Sequence, residues 1–204
     1  MSNALSAAPS PSRARSEERR QLLLETTLRL IAAAGVDSVT HRRVAKAAGV
    51  PLGSTTYYFD SREHLLREAF RHYLERSRAE QSALAARFQD ASAEAIVEFL
   101  VELTEREFAD ENMVRAEYEL TLFASRDPAV AEELHTWDEW MAAKLARALE
   151  SLGAERSFDA ARTLLDLMRG YELDRLTRHD LDSDGLRRRL QIVVSALVPT
   201  DDSA

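Results

Sequence analysis

From Pro128 onward, Val130, Leu134, Trp137, Met141, Leu145, Leu149 and Leu152 follow one another at steps of three or four, and Gly153 ends the run. That period lays one apolar stripe along a helix and fits no strand. Little in the chain interrupts such stripes: 204 residues contain 6 glycines and 5 prolines. Ala, Leu, Glu and Arg dominate, and all four favour helix. The expectation is an all-α protein of about nine helices, with no strand and no internal repeat.

The boundaries are also legible. A first helix is expected from Ser16 to Ala34, carried by Leu24, Leu28 and Ile31 and stopped at Gly35. Thr40 is placed to cap a short helix through Ala48, and Pro51 precedes another, from Leu52 to Tyr58. Asp60 with Glu63 reads as a capping box that opens a long helix bearing Leu65, Leu66, Ala69 and Phe70. Asp127-Pro128 is a cap followed by proline at the first helical position. Ser157 opens the next-to-last helix, and Asp182 or Ser183 the last. Residues 1–12 are Ser/Ala/Pro-rich and are expected to be disordered.

Several chemistries are absent. The chain has no cysteine, which removes disulfides, cysteine metal sites and thiol nucleophiles. No G-x-G-x-x-G, P-loop or G-x-S-x-G motif occurs, and no nucleophile–base spacing asks for explanation. The expectation is a non-enzyme without cofactor or metal. His64, Glu68 and His72 share a helix face, but Arg67 and Arg71 beside them oppose a metal. Asp180, Asp182 and Asp184 copy the start of a calcium loop, whose twelfth position is Gln191 rather than a bidentate glutamate. No apolar run reaches the length of a membrane span, and the first residues lack the apolar stretch a signal peptide needs; a cytoplasmic protein with no membrane partner is expected.

The formal net charge of −8 hides a division. Residues 13–76 hold 12 Lys/Arg against 8 Asp/Glu, whereas residues 77–204 hold 15 against 27. Such a split reads either as one module for a polyanion beside another of different use, or as chance segregation on solvated helix faces.

Residues 41–59, HRRVAKAAGVPLGSTTYYF, favour the first reading. Two short helices joined at a glycine turn form a helix-turn-helix. Val44, Ala45 and Ala48 supply small apolar contacts, and Val50 fills the junction. Ser54, Thr55, Thr56, Tyr57 and Tyr58 make the second helix dense in hydroxyls that reach phosphates or base edges. His41, Arg42 and Arg43 stand at the start of the first.

The pattern V-T-x-x-x-V-A-x-A-A-G-V, then x-x-G-S-x-x-Y-Y-F and D-S-R-E-x-L-L, resembles the DNA-binding domain of the TetR family of bacterial transcription regulators. The resemblance covers residues 16–75, and one departure is that Thr55-Thr56 stand where the family usually has an apolar residue followed by tyrosine. It implies a disordered arm at 1–15, a helix-turn-helix domain at 16–60, and a helical effector-binding and dimerisation domain at 61–200. It implies a ligand-responsive regulator, most often a repressor, whose homodimer binds a near-palindromic double-stranded operator and leaves it when a small-molecule effector binds. Thr40, His41, Arg42, Arg43, Ser54, Thr55, Thr56, Tyr57, Tyr58 and Arg62 are the expected DNA-binding residues. Phe108, Tyr118, Phe123, Trp137, Trp140, Met141, Met168 and Tyr171 are the candidates for the effector pocket, with Met113 as a further methionine, although ordinary core explains each singly. Glu117, Asp138 and Glu172 suit a cationic effector or a solvated acidic surface equally. Leu164, Met168, Tyr171, Leu176, Leu186, Leu190, Val193, Val194 and Leu197 are expected to join two copies, with Gly170 allowing close approach. The competing reading is a structural or adaptor protein with a vestigial motif.

Overall fold

The computed structural model describes residues 11–85 and 92–199. These form nine α-helices and one 3-10 turn, with no strand among the described residues. They divide into two compact units, 1–72 and 73–204.

The first unit holds α1 (Pro11–Ala34), the 3-10 turn Val36–Ser38, α2 (His41–Ala48), α3 (Leu52–Tyr58) and the opening of α4 (Arg62–Ala85). Leu24, Leu28 and Ile31 of α1, Val44 of α2, Phe59, and Leu65, Leu66 and Phe70 of α4 are all at most 1% exposed. Fully burying such a side chain stabilises by about 1.5–3 kcal/mol. The apolar start of α4 is buried, and the first compact unit runs to His72. α1 begins five residues earlier than expected, with Pro11 at its first position, so residues 11–15 of the expected arm are helical; residues 1–10 lie outside the described residues.

Local signals account for the short helices. Thr40 Oγ1 accepts from Arg43 N at 3.2 Å, the expected cap of α2. Gly49 ends α2 at φ 67°, ψ 29°, a left-handed conformation that side chains disfavour. The expected capping box at Asp60 is replaced. Ser61 Oγ accepts from His64 N at 3.0 Å, because α4 begins at Arg62 and puts Ser61 at the capping position.

The second unit holds the rest of α4, α5 (Ala93–Phe108), α6 (Glu111–Ala124), α7 (Pro128–Ser151), α8 (Ser157–Arg178) and α9 (Ser183–Leu197). Asp127 caps α7 by accepting from Ala129 N and Val130 N; Asp182 caps α9 by accepting from Gly185 N at 2.8 Å. α7 lies against α8 and α5 against α9. One core of Ile96, Leu100, Leu149, Leu164, Met168, Tyr171, Leu186, Leu190 and Val194 joins α5, α7, α8 and α9. This corrects the residues expected at a dimer contact. Leu164, Met168, Tyr171, Leu186, Leu190 and Val194 are buried within one chain, Val193 and Leu197 pack against the same core, and Leu176 is half-buried. Their stripe faces inward because α5 and α7 supply the apolar partners for α8 and α9. The outward faces of α8 and α9 carry Phe158, Gly170, Leu173 and Ile192 instead.

Candidate DNA-reading surface and effector core

α2 and α3 stand on a scaffold of backbone-directed side chains. His41 Nε2 lies 2.9 Å from the Phe59 carbonyl oxygen. A carbonyl only accepts, so the ring donates from Nε2 and ties the start of α2 to the end of α3. The Arg62 guanidinium donates to the Val39 carbonyl at 2.9 Å and to the Val36 carbonyl at 2.8 Å, fastening the 3-10 turn before α2. Thr55 is fully buried, and its Oγ1 donates to the Leu52 carbonyl at 2.9 Å. The Tyr58 hydroxyl bonds Ser16 of α1 at 2.9 Å.

These contacts give some of the expected DNA-binding residues a second role, in holding the motif together. Thr55 has no surface to offer: it takes the buried position of an apolar residue, and its hydroxyl faces the Leu52 carbonyl of its own helix and, at 3.4 Å, the His41 carbonyl of α2. His41 and Arg62 have donors committed to carbonyls that fix the motif, and Tyr58 is half-buried against α1. Arg42, Arg43, Thr56 and Tyr57 are exposed, Tyr57 at 78%; Ser54 is half-buried. Lys46 and Leu52, to which the sequence assigned no DNA contact, are exposed on the same two helices, as is Gly53 of the family pattern. A cue was available, because Leu52 and Gly53 follow the turn directly.

Within the second unit, polar side chains converge from five helices. Tyr73 of α4 donates to Glu117 of α6. Arg169 of α8 forms a two-pronged bond with Asp138 of α7, one arm at 3.2 Å. The Tyr118 hydroxyl of α6 lies 2.8 Å from the Arg169 carbonyl oxygen and 3.0 Å from Glu172 Oε2 of α8. A phenol has one hydrogen. If it goes to the carbonyl, which cannot donate, the contact with Glu172 is a hydrogen bond only when the carboxyl supplies a proton. Both contacts are therefore satisfied by a neutral Glu172. Burial, then the Glu117 charge, pushes the Glu172 carboxyl up to about 7, and the Glu107 carboxyl of α5 lies in hydrogen-bonding reach of it. Burial also raises Glu117, and raises Tyr73 and Tyr118 well above the ordinary phenol range.

Aromatic surface adjoins on α7. Trp137 and Trp140 stack with centroids 5.2 Å apart, and the Arg78 guanidinium of α4 lies 5.9 and 5.4 Å from the two rings. A cleft of about 280 Å³ lined by His135, Asp138, Glu139, Phe158 and Arg162 opens beside the Asp138–Arg169 pair. Of the expected pocket residues, Tyr118 belongs to this polar group and Trp137 and Trp140 to the stacked pair. Phe108, Met113 and Phe123 are half-buried. Met168 and Tyr171 sit in the apolar core with Met141 against it; Tyr171 donates to the Asp182 carbonyl, which holds its hydroxyl away from the polar group.

A helix-turn-helix unit joined by one continuous helix to an all-helical unit with a polar interior defines the class of one-component transcription regulators. Residues 23–69 match the model described as bacterial regulatory proteins, tetR family, and residues 91–200 match the tetracyclin repressor-like C-terminal domain. The chain is 29% identical over 189 residues to the HTH-type transcriptional repressor KstR of Mycolicibacterium smegmatis, covering 91% of this chain and 89% of that protein. It is 31% identical to a TetR-family member of Streptomyces coelicolor A3, with a TM-score of 0.68 over 90% of this chain and 99% of that one. It is 32% identical to the multidrug binding protein EbrR solved with ethidium, with a TM-score of 0.62 over 86% and 98%. The chain belongs to the TetR family, and it is a ligand-responsive DNA-binding transcriptional repressor. The adaptor reading is not favoured.

Proposed function

We propose that a homodimer of this chain binds a near-palindromic operator through α2 and α3, and that an organic cation entering among α4–α8 releases it. The observation that carries the effector class is a charge imbalance. Asp138 holds the half-buried Arg169 directly and lies 4.0 Å from Arg162, so three carboxylates, Asp138, Glu117 and Glu172, face two guanidiniums, and Glu117 and Glu172 share the field of Arg169. Glu117 and Glu172 otherwise meet tyrosine hydroxyls. Interior carboxylates without matching cations are costly unless protonated or met by positive charge. The stacked tryptophans already hold a guanidinium on their faces, the contact an aromatic or alkyl cation also makes. The ethidium held by EbrR, a relative of similar length, supports the same class.

In this reading Arg42, Arg43 and Tyr57 meet phosphates, Ser54 and Thr56 meet base edges, and Thr40, His41, Thr55, Tyr58 and Arg62 hold the motif. Half-sites lie about one helical turn, or a multiple, apart. Phe158, Gly170, Leu173 and Ile192 form the contact between copies; a monomer mass by light scattering would refute that part. Tetraphenylphosphonium and tetraphenylborate test the effector class, because they share a shape and differ in charge. The cation is expected to change tryptophan fluorescence and release the operator while the anion does neither. Equal binding of both refutes the cation reading.

A further inference from the structure

Gly53 has no explanation inside the chain. It sits in the first turn of α3 at ordinary helical φ, and a Cβ built on it meets nothing within 4 Å. Its backbone therefore does not need glycine, as Gly49 at φ 67° does. Packing does not need it either. A helix is less stable with glycine than with alanine, so folding alone favours a side chain at this position. Its place on the helix gives the reason. Counting 100° per residue from the buried Thr55, Gly53 and Tyr57 point most directly away from the core. Leu52 stands beside Gly53 and is 48% exposed, an apolar side chain at the leading end of a helix that is otherwise glycine and hydroxyls.

We propose that Gly53 is the step at which α3 seats against DNA, its missing side chain letting the helix approach until Leu52 lies on a thymine methyl. This rests on the reading that α3 enters the major groove. Only there does thymine present its methyl, and apolar side chains make the contact with it. The cations that draw in the backbone, Arg42, Arg43 and Lys46, are exposed on α2, so they bring in phosphate without occupying the position beside Leu52. Tyr57, one turn along from Gly53, stands clear at 78% exposure. Gly53 thus leaves a notch between two projecting side chains.

The test uses the full-length protein and an operator selected from random duplexes with the wild-type chain. Recovery of one sequence establishes that the protein reads DNA, independently of the proposal. Gly53→Ala is then expected to leave the melting temperature unchanged or raised and to weaken that operator at least tenfold. Gly53→Ala binding the operator as the wild type does overturns the close approach. Each thymine is next replaced by deoxyuridine, which removes the methyl alone. One position per half-site is expected to weaken wild-type binding about fourfold, the value of one buried methyl-sized group. Leu52→Ala is expected to bind the thymine and uracil forms equally. If no uracil position weakens the wild type, or Leu52→Ala keeps the same discrimination, Leu52 does not read the methyl. Leu52 is exposed in the free protein, so its truncation leaves the fold intact as a control.

Discussion

Replacing Glu172 by glutamine keeps the shape and removes the charge. The glutamine amide donates to Tyr118 Oη while that hydroxyl donates to the Arg169 carbonyl, so both contacts at 3.0 and 2.8 Å survive. The wild-type carboxyl moves from an ordinary value of 4.5 to about 7 in the folded protein. Between these values the folded state binds more protons than the unfolded state, so this group's contribution to stability falls as pH rises. Glu172 is 6% exposed, so solvent screening is slight, and the loss from about pH 4 to about pH 8 is on the order of 3 kcal/mol. Glu172→Gln is expected to match the wild type near pH 4 and to exceed it at pH 8 by up to about 3 kcal/mol. Urea unfolding followed by the fluorescence of Trp137 and Trp140, at fixed protein concentration, measures this difference. A difference between the two proteins that stays constant with pH refutes the neutral-acid argument.

Two further outcomes follow from the DNA-reading surface. Arg43→Ala is expected to weaken operator and random duplexes by the same factor and to flatten the logarithmic salt dependence by about one unit, as loss of one phosphate contact requires; a gel-shift titration over salt checks it. Thr55→Val is expected to cost about 1 kcal/mol of stability, because the buried Oγ1 bond to the Leu52 carbonyl is lost while the volume is kept. Its operator preference over random DNA should not change, and a changed preference would return Thr55 to the reading surface.

The fold was legible because helix signals are local. Asp127-Pro128, Thr40 and Gly49 act within a few residues of themselves, and the structure uses each as expected. Side-chain direction was less legible. The stripe of Leu164, Met168, Leu186 and Leu190 marks an apolar face in either environment, and only the presence of α5 and α7 decides that it turns inward. The scaffold role of some expected DNA-binding residues was hidden in the same way. His41, Thr55 and Arg62 have the chemistry of phosphate and base contacts, but their partners are carbonyls 14 to 26 residues away or one turn back in their own helix. The core carboxylates were visible as acidic residues; that Tyr118 must divide one hydrogen between a carbonyl and Glu172 needed distances. Gly53 stood in the family pattern without a role of its own, because a glycine needed by a turn and a glycine needed by a ligand look alike in one sequence.

A cation that enters beside Glu172 meets a site that must first lose a proton. Effector affinity should then depend on pH in one particular way. Below about pH 7 the Glu172 carboxyl is protonated, and each unit of rising pH increases tenfold the fraction of protein ready to receive positive charge. Above that point the carboxyl is ionised and affinity levels off. Tetraphenylphosphonium does not titrate, so its binding isolates the protein's own proton. Its affinity, read from tryptophan fluorescence, is expected to climb by about tenfold per unit between about pH 5 and pH 6.5, and to flatten by about pH 8. Glu172→Gln is expected to bind it weakly and without pH dependence. Because the coupling between effector and operator is reciprocal, saturating operator should lower the cation's affinity by the factor by which the cation lowers the operator's. A wild-type affinity that stays flat over this pH range would show that the cation does not displace the proton. A flat profile combined with release of the operator would move the cation to the tryptophan pair, where Arg78 already sits and no proton is exchanged.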